Sequence, residues 1–175
     1  MMVGLIRRSF TYMDEDMFRT LYSTMVRPIL EYAQVIWSPW LKKHINTLEA
    51  VQRRATKLVP HIRDKTYEDR LRHLDLYSLS YRRRRGDLIQ LYRLVNRKDN
   101  IDIDELVTFD EGSRTRGHAL KLKKLNGTKN CRKFHFSRRV FNDWNRLSAD
   151  VVNSTSLDVF KASIDKILDT HWCLT

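Results

Sequence analysis

From Phe18 onward the apolar positions fall three or four residues apart: Phe18, Leu21, Tyr22, Met25, Ile29, Tyr32, Ala33 and Ile36. That spacing predicts an amphipathic helix, and Asp14 is placed to cap a start at Glu15. Pro28 lies inside the stripe, where it removes one backbone donor and crowds the preceding turn. Either the helix kinks there or two helices abut; the stripe keeps its phase across the proline, which favours the kink. Ser38-Pro39 breaks the pattern. A second helix fits 42–59, with Ile45, Leu48, Val51, Ala55 and Leu58 inward, and Pro60 ends it. A short third helix opens at Thr66-Tyr-Glu-Asp-Arg and runs to about Leu74, with Glu68 or Asp69 suited to its positive N-terminus. A fourth covers about Ser80 to Arg97, with Leu88, Leu91, Tyr92 and Val95 inward.

The pattern changes after residue 98. Asn100 to Gly112 reads as an acidic loop holding at most one helical turn. Residues 119–124 alternate as Ala-Leu-Lys-Leu-Lys-Lys and 132–136 as Arg-Lys-Phe-His-Phe, with Asn126-Gly127 between them, which predicts a small β-hairpin. Helices follow over about 136–147 and 156–170. The last carries the stripe Leu157, Phe160, Ile164, Ile167 and Leu168 behind a Ser156 cap. With only five Gly and three Pro in 175 residues, long helices outnumber tight turns, and the fold class is mainly α. The organisation expected is a helical region over 1–98, an acidic loop over 99–111, and a basic hairpin plus C-terminal helices over 112–175. A chain of this length buries roughly 70% of the surface its unfolded form exposes, so its core needs no staple. Cys131 and Cys173 fit no metal pattern, and a reducing compartment, nucleus or cytoplasm, is the natural reading. Met1 to Ile6 makes a poor secretory signal. No run of about 18 apolar residues predicts a membrane span.

Charge sharpens the picture. The formal net charge is +12, and it is unevenly spread. Residues 1–41 are neutral, 42–97 carry a net +9, and 99–111 hold six acids and no base. Residues 112–139 then contain ten Lys or Arg and no acid. Ten like charges in one stretch repel one another unless a polyanion neutralises them, and nucleic acid is the commonest polyanion in a cell. In the helix over 42–59, Arg53, Arg54 and Lys57 lie within one turn of each other and could track a phosphate strand; a solvated amphipathic face is the plain alternative. Arg82-Arg83-Arg84-Arg85 cannot all share one helix face, since successive residues point about 100° apart. Some must pair with Asp87 or with other acids, while others, among Arg82, Arg83 and Arg85, can reach phosphates. In the basic block, Ser113, Thr115, Arg114, Arg116 and a flexible Gly117 suit backbone contacts. Lys121 and Lys123 would project opposite Leu120 and Leu122, with Lys124, Arg138 and Arg139 adding charge. Phe134 and Phe136 could stack on bases but are more often core.

Catalytic chemistry finds little support in the residues. The six histidines show no metal-ligand spacing among themselves, and only His118 sits in suggestive company. There is no Gly-rich phosphate loop and no nucleophile elbow. Trp37, Trp40, Trp144 and Trp172 are most simply core or contact anchors. No cofactor, metal or catalytic residue is expected.

Several segments taken together resemble a known family. Leu21-Tyr, Val26-Arg-Pro-Ile-Leu-Glu-Tyr-Ala and Trp37-Ser-Pro are similar to the region downstream of the palm in reverse transcriptases of non-LTR (LINE-type, jockey-like) retrotransposons. So are Val51-Gln-Arg-Arg-Ala-Thr-Lys, Tyr67-Glu-Asp-Arg-Leu and Tyr81-Arg-Arg-Arg-Arg-Gly-Asp-Leu-Ile. Ser113-Arg-Thr-Arg-Gly-His, Leu120-Lys-Leu-Lys-Lys, Phe136-Ser-Arg-Arg-Val and Trp144-Asn-Arg-Leu continue the likeness, from about Leu5 to Leu168. The resemblance implies a helical thumb-like bundle followed by the C-terminal region of such a polymerase. The family's palm holds two Mg²⁺ on paired aspartates, and this chain contains no Asp-Asp dipeptide. What the resemblance implies is the nucleic-acid grip of the enzyme without its chemistry: a non-catalytic fragment that binds RNA, DNA or their hybrid through backbone phosphates, with the missing palm and fingers as a possible partner and no membrane. Two rivals stand beside it. One is a protein-interaction or degenerate remnant module, for which Tyr32, Trp37 and Trp40 would supply an apolar patch. The other is an enzyme in its own right.

Overall fold

Helix begins before the predicted start. In a computed structural model, which describes residues 2–110, 117–124 and 135–169, the apolar opening coils into α1 (Met2–Ser9), which buries Val3 and Ile6 and places Arg7 and Arg8 against its negative C-terminal end. The chain is mainly helical, and among the described residues no helix is long and apolar enough to cross a membrane. Contacts divide it into two compact units, Met1–Arg83 and Arg84–Thr175, so the division falls inside a helix and not at the acidic loop.

In the first unit, α2 (Glu15–Leu21) starts as predicted, with Asp14 accepting from the Met17 N–H at 2.8 Å. It runs into a wide π-helical stretch, Tyr22–Val26, and then α3 (Arg27–Glu31). Pro28 therefore neither breaks the rod nor sharply separates two helices. The wide turn precedes it, and the hydroxyls of Ser23 and Thr24 donate to the Thr20 carbonyl at 3.1 and 2.7 Å. The widened turn also rotates the downstream face. Phe18, Tyr22 and Val26 are buried, while Ile29, Tyr32 and Ile36 of the predicted stripe are 61%, 79% and 85% exposed. Tyr32 leaves helical geometry, Ala33 adopts a left-handed φ of 49°, and the short α4 (Gln34–Trp37) follows.

Helix α5 (Lys42–Thr56) has a more polar inner face than its apolar spacing indicates. Glu49, Gln52 and Thr56 are buried beside Ala55. Each finds partners: Glu49 Oε1 accepts from the Tyr67 hydroxyl (2.6 Å) and the Leu79 N–H (3.3 Å). Gln52 accepts from the Tyr22 hydroxyl at 2.7 Å and donates to the Tyr77 carbonyl at 2.9 Å. The buried Arg70 of α6 (Tyr67–His73) donates to Thr56 Oγ1 (3.0 Å) and the Lys65 carbonyl (2.6 Å). Burial among apolar groups and the nearby Glu49 charge push the Tyr67 hydroxyl far above its ordinary pKa, so it stays a donor. A 3₁₀ turn, Pro60–Ile62, links α5 to α6, and α7 (Leu79–Val95) carries the chain into the second unit.

There, Leu88, Leu91, Tyr92 and Leu94 of α7 are buried, as are Val140 and Trp144 of α8 (Phe136–Asn145), Val152 of α9 (Ala149–Val152) and Phe160 and Ile164 of α10 (Leu157–Asp169), with Trp144 tilted against Phe160. Tyr92 stacks on Phe160 with ring centroids 4.2 Å apart, and Ser156 caps α10 through the Val159 N–H at 3.2 Å. The acidic loop contains a single 3₁₀ turn, Ile103–Glu105. The predicted hairpin is not found: among the described residues there is no strand. Residues 119–124 run beside 108–110 instead, through one antiparallel bridge, Phe109 to Leu122, with the Lys123 N–H on the Thr108 carbonyl and the Asp110 N–H on the Lys121 carbonyl at 2.7 and 2.8 Å. The Asn126-Gly127 turn and Arg132 to Phe134 lie outside the described residues, and Phe136 starts α8 as a buried core residue.

Candidate nucleic-acid interface

The outer face of α5 gathers more charge than the trio at its C-terminal end. At 100° per residue, Lys42, Asn46, Ala50, Arg53 and Lys57 form one line, with Lys43, Thr47 and Arg54 beside it. All eight are exposed. The single acid of the helix, Glu49, borders this line, about 20° from Lys42 around the axis, but is buried. Five cations and no exposed carboxylate thus share a strip about 22 Å long at 1.5 Å per residue. Among the described residues none of the five pairs with a carboxylate. Arg53 is steadied by the Tyr67 ring, its guanidinium carbon 4.9 Å from the ring centroid. Lys42 and Lys43 escaped the sequence reading because they sit ahead of the apolar stripe. The signal that finds them is the eleven-residue interval from Lys42 to Arg53, three helical turns.

Arg53, Arg54 and Lys57 sit favourably at the negative end of the helix dipole. Lys42 and Lys43 do not: they occupy the first turn, where the N–H groups already carry partial positive charge, and Leu41 offers no side-chain cap. Folding gains nothing from lysines there, while binding a polyanion does. A Lys42→Glu, Lys43→Glu variant is therefore expected to melt higher, with a gain of about 1 kcal/mol for the pair, and to bind nucleic acid more weakly. Thermal unfolding and a binding titration on the same preparation check both halves.

The arginine run behaves differently from the expectation that Arg82, Arg83 and Arg85 reach phosphates. All four arginines are engaged within the chain. Arg82 makes a two-pronged pair with Glu31, its Nη2 2.9 Å from Oε2 and its Nε on Oε1. Arg83 is buried and donates to Ser80 Oγ at 3.0 Å. Arg84 grips both oxygens of Asp143 at 3.0 and 2.9 Å, and Arg85 both oxygens of Asp165 at 2.6 and 2.9 Å. Arg139, from the basic block, does the same to Asp87, which is buried. The planar guanidinium fork suits a carboxylate as well as a phosphate, and here carboxylates far away in sequence take it.

Of the remaining basic block, Arg114 and Arg116 lie outside the described residues. Lys123 and Lys124 are exposed, while Lys121 and Arg138 are half-buried. The segment is held by α8: the Leu120 carbonyl accepts from the Trp144 indole at 2.8 Å, and the Asn145 amide brackets Leu122, accepting from its N–H at 2.9 Å and donating to its carbonyl at 3.0 Å. Leu122 is buried and Lys123 faces water, which matches the alternation read from the sequence. His118 is a core residue and not a surface one: Nε2 lies 3.1 Å from the Trp144 carbonyl, and burial pushes its pKa down. Gly117 before it has φ 129°, a conformation that L side chains rarely adopt. Comparisons with protein-family models, with curated proteins and with solved structures return no match.

Proposed function

We propose that the chain is a non-catalytic nucleic-acid-binding piece of an RNA-directed DNA polymerase of the non-LTR retrotransposon kind, gripping the backbone phosphates of RNA, DNA or their hybrid with the outer face of α5. One observation carries the reading: five exposed cations line a helix face that exposes no acid, and two of them stand where they oppose the helix dipole. The resemblance of the sequence to the region downstream of the palm points the same way. Arg82, Arg83, Arg85 and Arg139 drop out of the contact set, because their forks are occupied by internal partners. Arg53, Arg54 and Lys57 stay, joined by Lys42 and Lys43, and Lys123 and Lys124 offer a smaller exposed pair in the second unit.

Five neutralised phosphates imply a slope of about −4.5 when the logarithm of the duplex binding constant is plotted against that of salt concentration. Fluorescence anisotropy with unrelated duplex sequences at several salt concentrations measures it. Similar affinities and that slope support backbone binding; no binding at low salt ends the proposal. A protein-interaction module is the second reading, favoured by the exposed apolar group Ile29, Tyr32, Ile36, Trp37 and Trp40. Sedimentation that depends on concentration, without nucleic-acid affinity, would support it instead.

A further inference from the structure

Three polar side chains meet where the sequence gives no hint of it. Glu15 is the first residue of α2, His61 lies in the Pro60–Ile62 turn, and His73 ends α6, all within the first unit. One ligating atom from each lies within 4.8 Å of the others. Glu15 Oε1 is 2.7 Å from His61 Nε2 and 3.5 Å from His73 Nε2. The second carboxylate oxygen, Oε2, is held by Arg19 Nη2 at 3.2 Å. Arg19 also donates to the His73 and Leu74 carbonyls, each at 3.1 Å, so it ties α2 to the end of α6. The carboxylate is thereby oriented: one oxygen is anchored, and the other is turned toward two imidazoles.

Two imidazole nitrogens and one carboxylate oxygen form the donor set of borderline divalent cations such as Zn²⁺, with water or another ligand completing the shell. We propose that Glu15 Oε1, His61 Nε2 and His73 Nε2 form a binding site for a first-row divalent transition cation, with Zn²⁺ the fitting representative. Bonds of about 2.0–2.2 Å around a tetrahedral ion separate the ligand atoms by roughly 3.3 Å. The 3.5 Å approach already matches. The 2.7 Å one is a hydrogen bond that opens by about half an ångström when the cation replaces the shared proton. The histidine side chains are 51% and 42% exposed, so the cation has a path in. Arg19 serves as a positioning residue, the outer-shell partner that such ligands need. Lys65 works against the site: its Nζ lies 3.4 Å from His73 Nδ1, which must carry a proton once Nε2 is ligated, so Lys65 turns outward on binding.

The test uses the full chain stripped with a chelator and titrated with Co²⁺ and then Zn²⁺. The expected result is one Co²⁺ per chain with a visible ligand-field band, displaced by Zn²⁺, and a melting temperature that rises with Zn²⁺ because the cation binds only the assembled site. His61→Ala should abolish the band. His61 is half exposed and lies outside the Arg19 tie, so its loss leaves the fold standing, which circular dichroism verifies. His73→Ala and Glu15→Gln should weaken binding at least as far as the removal of an outer-shell partner does, about 10- to 100-fold. His44→Ala and Cys131→Ser with Cys173→Ser should keep the band unchanged. The absence of saturable binding by the stripped chain overturns the proposal. So does a band that survives His61→Ala.

Discussion

Changing Lys42, Lys43, Arg53, Arg54 and Lys57 together to glutamine is expected to flatten the salt dependence of nucleic-acid binding. Each cation that meets a phosphate contributes about 0.9 to the slope. With five contacts, the intact chain loses about 500-fold in affinity between 50 and 200 mM salt, whereas the variant should barely respond. The effect is large because counterion release multiplies across contacts. It is clean because the five side chains point into water and leave the core untouched. Arg53 gives up a packing partner, the Tyr67 ring, worth about 0.5–1 kcal/mol at an exposed site. Anisotropy over a salt series measures the slope, and circular dichroism confirms the fold. A wild-type slope in the variant would remove α5 from the interface. A drop of about 2 on changing Lys123 and Lys124 alone would move the contact to the second unit.

The second large effect is on stability. Arg139→Met should destabilise the second unit by about 3–5 kcal/mol, because it leaves the Asp87 carboxylate buried without its guanidinium. Asp87 has a side chain only 5% exposed, and Arg139 one 20% exposed, so water screens the pair poorly. A loss of that size is a large part of what holds a small domain together. Adding Asp87→Leu to Arg139→Met should restore much of the loss, since an apolar pair avoids the desolvation that both charges suffer. Urea or thermal unfolding of the two variants decides it. A single variant as stable as the parent would show that the other groups around Asp87 hold its charge without Arg139. The same experiment on Arg84→Met should give a smaller change, because the Arg84 side chain is half exposed.

Helix ends lie where the local code is strong. Asp14 and Ser156 accept from the N–H groups expected of caps, the third helix opens after Thr66, and Pro60 follows the end of α5. The stripe of the last helix buries Phe160, Ile164 and Leu168. Periodicity goes astray at Tyr22–Val26, because one widened turn rotates everything after it and hydrophobic spacing cannot register that. It also predicts a hairpin from two alternating segments, whereas the first of them pairs with the end of the acidic loop and is bracketed by Asn145. Alternation names the face that turns inward; it does not name the neighbour.

Charge shows the same division. Composition alone establishes that the chain is strongly basic, where the basic blocks lie, and that Arg82 to Arg85 cannot all face one way, because these follow from counting and from the pitch of a helix. Which cations stay in water is a matter of three dimensions. Glu31, Asp87, Asp143 and Asp165 reach the arginines from 51 to 80 positions away, and Glu15 meets His61 and His73 across 46 and 58. Local sequence carries dihedral preference and periodicity, both short-ranged. Pairing between distant side chains depends on where whole helices come to rest, and only the packed structure decides it.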